Sequence, residues 1–161
     1  MKIAIINQSE ADNAALPLLA LSSEMFLKQF VADNDGDPSR VEVHTFPTLA
    51  QAPDGWLRAF LQDHLDTPDA AAYHDRDEKG NPIIYVGFKN IPDGELFHGK
   101  AGDGASLAGE LQHELAEAWI DPFCNLYADL TVIDPATGQF YRSLAVEAED
   151  PVQETCDTFD V

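Results

Sequence analysis

Strand-like and helix-like segments alternate along most of this chain, and that alternation is the feature that most limits its fold. Three segments are short, apolar and rich in β-branched residues, which predicts buried strands: residues 2–6, 41–46 and 83–88. Three others have apolar side chains at helical spacing, which predicts helices: residues 18–31, 56–65 and 106–120. Two apolar segments, 127–133 and 140–146, flank a turn sequence at 134–138 and predict a β-hairpin.

The beginning of the first helix has two candidate positions. Ser9 followed by Asp12 is typical of a helix N-terminus, whereas Pro17 is typical of a break or of a later start. Residues 75–82 are polar and predict a turn. This turn superficially resembles a calcium loop, but Lys79 and Val86 stand where such a loop needs ligands, so a calcium loop is excluded.

This order of segments predicts an α+β or mixed α/β fold in which helices cover a mixed sheet. The length of 161 residues predicts one domain spanning residues 1–161. The chain has no apolar segment near the ~20 residues of a membrane span, and its first residues do not form a secretion signal. We therefore expect a cytoplasmic protein without membrane contact, in which Cys124 and Cys156 are thiols rather than a disulfide. Nothing in the sequence indicates an oligomeric state.

The chain carries a large excess of acidic residues. It has 29 Asp and Glu against 9 Lys and Arg, a formal net charge of −20, and Arg142 is the only basic residue among those after residue 100, not counting histidine. A protein held to nucleic acid by its own surface needs basic side chains to neutralise phosphates, so direct nucleic-acid binding is excluded. Three explanations of the charge remain: a salt-adapted surface, an imitation of nucleic acid, or carboxylates that bind a metal.

The helix at 106–120 carries a polar stripe with metal-binding chemistry. Glu110, His113, Glu114 and Glu117 fall on one side of this helix, separate from its apolar stripe. His113 and Glu117 are four residues apart, so both can reach one metal ion, with Glu114 beside them. The alternative is that this stripe is simply the solvated face of an amphipathic helix.

The motif around this stripe has a recognisable pattern. Residues 113–122, HELAEAWIDP, resemble the HExxE…DP segment of zincin-like proteins of bacteria and phages, and more distantly the exordium-type proteins of plants. Three further motifs resemble that group in the same order, at residues 73–82, 134–141 and 147–152. The resemblance covers most of residues 70–155, but this chain lacks the tryptophan-containing tail of the group. It implies a zincin-like fold with an active-site helix at about 106–120.

The resemblance also implies roles for individual residues. His113, Glu117 and Glu147 are the implied metal ligands, and Glu114 is the implied catalytic base. Three residues are alternative or supporting ligands: Asp150, Asp121 and His74. For Asp121 we favour a local role, because its side chain can bond backbone groups where the helix ends. His74 is otherwise interpreted as an ordinary turn histidine.

The implied function is a metal-binding zincin-like protein that hydrolyses a peptide or ester carbonyl, with a peptide or protein as substrate. Zinc is the implied metal, while the carboxylate ligands leave Mn, Fe and Ca as alternatives. Two other functions remain open. One is a non-enzymatic acidic interaction protein of phage or prophage type that imitates nucleic acid, and the other is a zincin scaffold with a virion-associated or structural role.

Overall fold

The computed structural model describes residues 1–67, 70–91, 96–97 and 106–123, together with four two-residue strands in the last third of the chain. Its main sheet consists of β1 (Lys2–Asn7), β2 (Glu42–Phe46), β3 (Leu57–Gln62), β4 (Ala72–Arg76) and β5 (Pro82–Gly87). Two α-helices are described, α1 (Leu16–Asp33) and α2 (Leu107–Ile120). Neither has the length and apolar character that crossing a bilayer requires.

The sheet is mixed, with strand order β2-β1-β3-β5-β4. β1 pairs in parallel with β2 and with β3, and β3 pairs in parallel with β5. β4 lies at one edge and pairs antiparallel with β5. The predicted mixed α/β character is therefore confirmed.

Both helices pack against the same face of this sheet. Ile3 and Ile5 of β1 belong to the core cluster that also contains residues of α1 and α2. Ala4 and Ile6 point to the opposite face, where they pack with Phe60 and Trp56, because successive strand side chains alternate. The helices thus cover one face, and the side chains of β4 that point to that face are directed toward α2.

Helix α1 begins at Leu16, so the start near Ser9 and Asp12 is wrong and the later start is correct. Pro17 occupies the first turn, where the lack of a backbone N–H costs no helical hydrogen bond. Ser9 and Asp12 instead form local turns: Ser9 Oγ accepts the N–H of Ala11 at 3.1 Å, and Asp12 Oδ1 accepts the N–H of Ala14 at 2.9 Å. These side chains favour turns for the same reason that they favour helix starts.

The helix predicted at 56–65 is wrong, because this segment forms strand β3. Ala59, Phe60 and Leu61 are consecutive and all buried, since β3 lies inside the sheet between β1 and β5. A strand buried on both faces is apolar throughout, and such a run does not differ from a buried helix in its periodicity.

The polar turn predicted at 75–82 is shorter than expected. β4 extends to Arg76, and the turn comprises residues 77–81. Asp77 Oδ1 accepts the N–H groups of Lys79 and Asn81 at 2.9 and 2.8 Å, and Gly80 has a φ of 80°. Only glycine adopts such a φ at little cost, so this tight turn directs β5 back along β4.

Helix α2 matches its prediction closely. Ser106 caps it by accepting the N–H of Gly109 on Oγ at 3.0 Å, and it ends at Ile120, ahead of Pro122. The hairpin prediction is also confirmed at the level of the backbone: residues 127–128 pair antiparallel with 144–145, and residues 132–133 pair antiparallel with 140–141. Cys124 and Cys156 lie outside the described residues, so their free-thiol state stays a prediction.

Candidate metal centre

The candidate site lies between α2 and the edge strand β4. In the antiparallel register His74 is opposite Ile84, whose side chain belongs to the core on the helix side of the sheet. Residues opposite each other in a ladder share a face, so His74 points toward α2. Tyr73 and Tyr85 point to the other face, where their rings lie 5.2 Å apart.

His74 reaches two glutamates of α2. Its Nδ1 lies 3.1 Å from Oε2 of Glu114 and 3.4 Å from Oε2 of Glu117. One donor atom from each of these three residues lies within 4.8 Å of the other two. The group of His74, Glu114 and Glu117 could therefore hold a metal ion.

Glu117 also contacts the imidazole that the sequence singled out. Nε2 of His113 lies 3.4 Å from Oε1 of Glu117, across one turn of α2. The two carboxylate oxygens of Glu117 therefore face two different imidazoles, one from α2 and one from β4. The predicted pairing of His113 with Glu117 on one side of the helix is confirmed.

The polar stripe of α2 is buried. His113, Glu114 and Glu117 are 7%, 5% and 4% exposed, and the side chain of His74 is 9% exposed. The solvated-face alternative is therefore wrong. A buried carboxylate is costly unless it is paired with positive charge and hydrogen-bonded, and a metal ion held by His74, Glu114 and Glu117 could supply that charge.

The donor atoms fit a divalent ion in chemistry and in spacing. Two ligands that lie 2.0–2.1 Å from one tetrahedral ion are about 3.3 Å apart. The separations of 3.1 and 3.4 Å around His74, and of 3.4 Å between His113 and Glu117, are close to this value. Imidazole nitrogen and carboxylate oxygen are both common ligands of transition-metal ions in proteins.

Glu110 begins the same stripe, one turn before Glu114. It is half-buried, and burial raises the pKa of its carboxyl. The neighbouring His113 opposes this rise in the pKa, while the negative charge of Glu114 adds to it. The negative charges of Glu110 and Glu114 thus repel each other.

Helix α2 is held in its orientation by a buried contact with α1. Gln112 Nε2 donates to Ser22 Oγ at 2.9 Å, and both residues are buried. A polar pair in an apolar interface favours one arrangement of the two helices over others. Since Gln112 adjoins His113, this contact favours, together with the apolar packing of α2, the rotation that turns the stripe toward β4.

The remaining predicted site residues have different outcomes. Glu147 and Asp150 lie outside the described residues, so their roles stay predictions. Asp121 is buried at the end of α2, where its backbone N–H donates to the carbonyl of Glu117 at 2.7 Å. The predicted bonding by its side chain stays a prediction.

His74 has a larger place in the site than its sequence context indicated. Its motif suggested a turn, whereas it lies in the middle of β4. The order of segments could have indicated this position. Tyr73, His74 and Asp75 precede a tight turn and an apolar strand, as the first strand of a β-hairpin does.

Comparisons of this chain with models of known protein families, with curated proteins and with solved structures find no match in any of the three. Support for a function comes instead from the residues of α2 and β4 and from the motifs around them.

Proposed function

We propose that this protein binds a divalent metal ion between α2 and β4 and acts as a zincin-like, metal-dependent hydrolase of the HExxE type. The observation that carries the proposal is the convergence of His74 with the buried Glu114 and Glu117, whose donor atoms lie within 4.8 Å of one another. The mixed sheet and the buried position of α2 agree with the fold that the motif resemblance implies.

Glu117 is the central ligand in this proposal. It is the carboxylate of the HExxE pair with His113, and it also contacts His74 from the sheet. The imidazole of His74 completes the proposed ligand group with Glu114 and Glu117, a role that the sequence assigned to Glu147. Glu147 remains a proposed further ligand.

Zinc is the proposed metal, with manganese and iron as the alternatives. Imidazole nitrogen suits zinc and iron and carboxylate oxygen suits manganese, whereas calcium prefers six to eight oxygen ligands. Two carboxylates neutralise a dication, and this lowers its ability to acidify water relative to a site with three imidazoles. We therefore expect the protein to bind the metal ion tightly but to hydrolyse its substrate slowly.

The proposed reaction is hydrolysis of a peptide or ester carbonyl in a cytoplasmic peptide or protein. A bound divalent ion supplies Lewis acidity that polarises a carbonyl and acidifies water. Glu114 is a proposed ligand through Oε2, the oxygen nearest His74, and its other oxygen is the proposed acceptor of the proton from the attacking water. Burial of the stripe limits the access of bulk water to this carboxylate.

We expect the protein purified without chelator to contain a divalent metal. Glu117→Gln is expected to lower the affinity for Zn²⁺ at least tenfold, because it removes one negative charge and one ligand oxygen. Metal content is measured by inductively coupled plasma mass spectrometry, and hydrolysis is measured by cleavage of an unfolded protein substrate. The matched control is His64→Ala, since His64 is exposed on the surface and its loss should change neither quantity.

Equal metal content in the wild type and in Glu117→Gln would overturn the proposed site. Tight metal binding without any cleavage by the wild type would instead favour the structural role. Absence of metal together with salt-sensitive binding of a basic partner, unchanged in Glu117→Gln, would favour the acidic interaction protein.

A further inference from the structure

Glu117 has an arrangement that a single metal ion leaves partly unexplained. Its Oε1 lies 3.4 Å from Nε2 of His113, and its Oε2 lies 3.4 Å from Nδ1 of His74. The two imidazoles come from different elements, α2 and β4, and they approach opposite oxygens of the same carboxylate. Each oxygen–nitrogen pair has the spacing of two ligands on one ion.

His113 and His74 do not belong to one ligand group. Donor atoms bound to one ion at 2.0–2.2 Å lie at most about 4.4 Å apart. Among the described residues, the group with mutual donor distances within 4.8 Å consists of His74, Glu114 and Glu117, and His113 is not a member. One ion bound to this group therefore does not include the contact between Nε2 of His113 and Oε1 of Glu117.

We propose that Glu117 bridges two divalent metal ions, one held with His74 and Glu114 and the other held with His113. This inference rests on the proposed function, and it adds a second ion to that site. Carboxylates commonly bridge in this way, with one oxygen on each ion, and two-metal sites have ions about 3.5–4 Å apart. His113 and His74 lie near opposite oxygens of Glu117, so each imidazole can bind the ion on its own side of such a bridge.

The charge of α2 agrees with two ions. Residues 107–121 contain four carboxylates and no Lys or Arg: Glu110, Glu114, Glu117 and Asp121. Two divalent ions balance four negative charges, whereas one ion leaves two of them. Glu110 precedes His113 by three residues and Asp121 follows Glu117 by four, so these charges lie along the same side of α2.

The experiment counts metal ions on the full chain. Protein freed of metal with a chelating resin is dialysed to equilibrium against Mn²⁺ and, in parallel, against Zn²⁺, and bound ions per chain are measured by elemental analysis. We expect two ions in the wild type, one in His113→Ala, one in His74→Ala and two in the control His64→Ala. The Mn²⁺ form should show the paramagnetic resonance spectrum of an exchange-coupled pair, and His113→Ala should show that of a single ion.

A wild-type protein that binds one ion, with an uncoupled Mn²⁺ spectrum, would overturn the bridge and leave the proposed metal-binding function intact. A wild-type protein that binds none would overturn both. The count and the spectrum of the wild type decide the question if a variant does not fold. His113→Gln then serves as a second variant with a side chain of similar polarity.

Discussion

At the scale of single residues, Glu24 links α1 to the outer strand of the sheet. Its Oε2 accepts the backbone N–H of Val43 at 3.1 Å, and Lys28 donates to its Oε1. β2 has a neighbouring strand on one side within the main sheet. The carboxylate of Glu24 thus accepts a hydrogen bond from a backbone N–H of β2 that has no partner strand in the main sheet. This bond links α1 to the edge of the sheet.

The pKa of Glu24 leads to a prediction for acid stability. Burial acts to raise this pKa, but the hydrogen bonds from Lys28 and from the Val43 N–H prevail and hold it below its usual value. A pKa lowered by folding stabilises the native state above the pKa of the unfolded chain, and this contribution is lost as the pH falls through the lowered value. We therefore expect Glu24→Gln to lower the free energy of unfolding by about 1 kcal/mol at neutral pH, with a difference from wild type that closes toward pH 3.

Urea denaturation followed by circular dichroism at several pH values measures this difference. Glu78→Gln is the control, because Glu78 is an exposed carboxylate in a turn and should leave the stability close to that of the wild type. A difference between wild type and Glu24→Gln that stays constant with pH would contradict the prediction.

At the scale of secondary-structure elements, the orientation of α2 depends on its contact with α1. Both helices contribute to one apolar core, and apolar packing alone tolerates some rotation of a helix. The hydrogen bond between Gln112 and Ser22 is directional. We expect it to favour the rotation in which His113, Glu114 and Glu117 face β4, and so to couple helix packing to the geometry of the site.

A double-mutant cycle tests this coupling. Ser22→Ala and Gln112→Leu are each expected to lower the free energy of unfolding by roughly 1–3 kcal/mol, because each leaves the other, buried side chain without this hydrogen bond. The double variant should cost less than the sum of the two, with an interaction energy of at least about 0.5 kcal/mol. The quantity measured is the free energy of unfolding in urea.

The exposed pair Thr48 and Gln51 serves as the matched control, since its side chains also form a hydroxyl–amide hydrogen bond, at 3.2 Å. Thr48→Ala and Gln51→Ala should have nearly additive, small effects. Additive effects at Ser22 and Gln112 as well would mean that their hydrogen bond does not stabilise the helix pair.

At the scale of the whole molecule, the net charge of −20 opposes compactness. Self-repulsion of like charges destabilises a folded chain, and salt screens it over about 10 Å at 0.1 M ionic strength. Part of the excess has a different character, because Glu114 and Glu117 are buried beside imidazoles. A bound cation therefore stabilises these buried carboxylates more than dilute salt does.

We therefore expect two separable effects on the melting temperature. Raising NaCl from about 0.02 M to about 0.5 M should raise it, because screening relieves repulsion at the surface. Micromolar Zn²⁺ should raise it further through binding to the native state, and a chelator should reverse only this second effect. Thermal melts followed by circular dichroism measure both.

KCl at equal ionic strength is the control, since screening does not distinguish the two salts. A melting temperature that falls or stays constant as salt increases would contradict the importance of self-repulsion. Loss of the Zn²⁺ effect in Glu117→Gln, with the salt effect retained, is the expected signature of the site.

The predictions that succeeded rest on local patterns. The strands at 2–6, 41–46 and 83–88, the helix at 106–120 and the hairpin follow from the periodicity of neighbouring residues, which a sequence displays directly. The polar stripe of α2 was predictable for the same reason, because positions three and four apart on a helix share a side regardless of the rest of the fold.

The misassigned segments depend on distant partners. Residues 57–62 form a strand because β1 and β5 pair with both of its edges, and its uninterrupted apolar character does not display this. α1 begins at Leu16 rather than near Ser9, where local turns compete successfully with a helix.

The site divides in the same way. That His113, Glu114 and Glu117 share one side of a helix follows from the sequence alone, since helical geometry is local. That this side is buried and that His74 faces it follows from the packing of α2 against β4, which distant residues control. Strand register sets the position of His74: it lies opposite Ile84, and a shift of one residue would turn Tyr73 or Asp75 toward α2 instead.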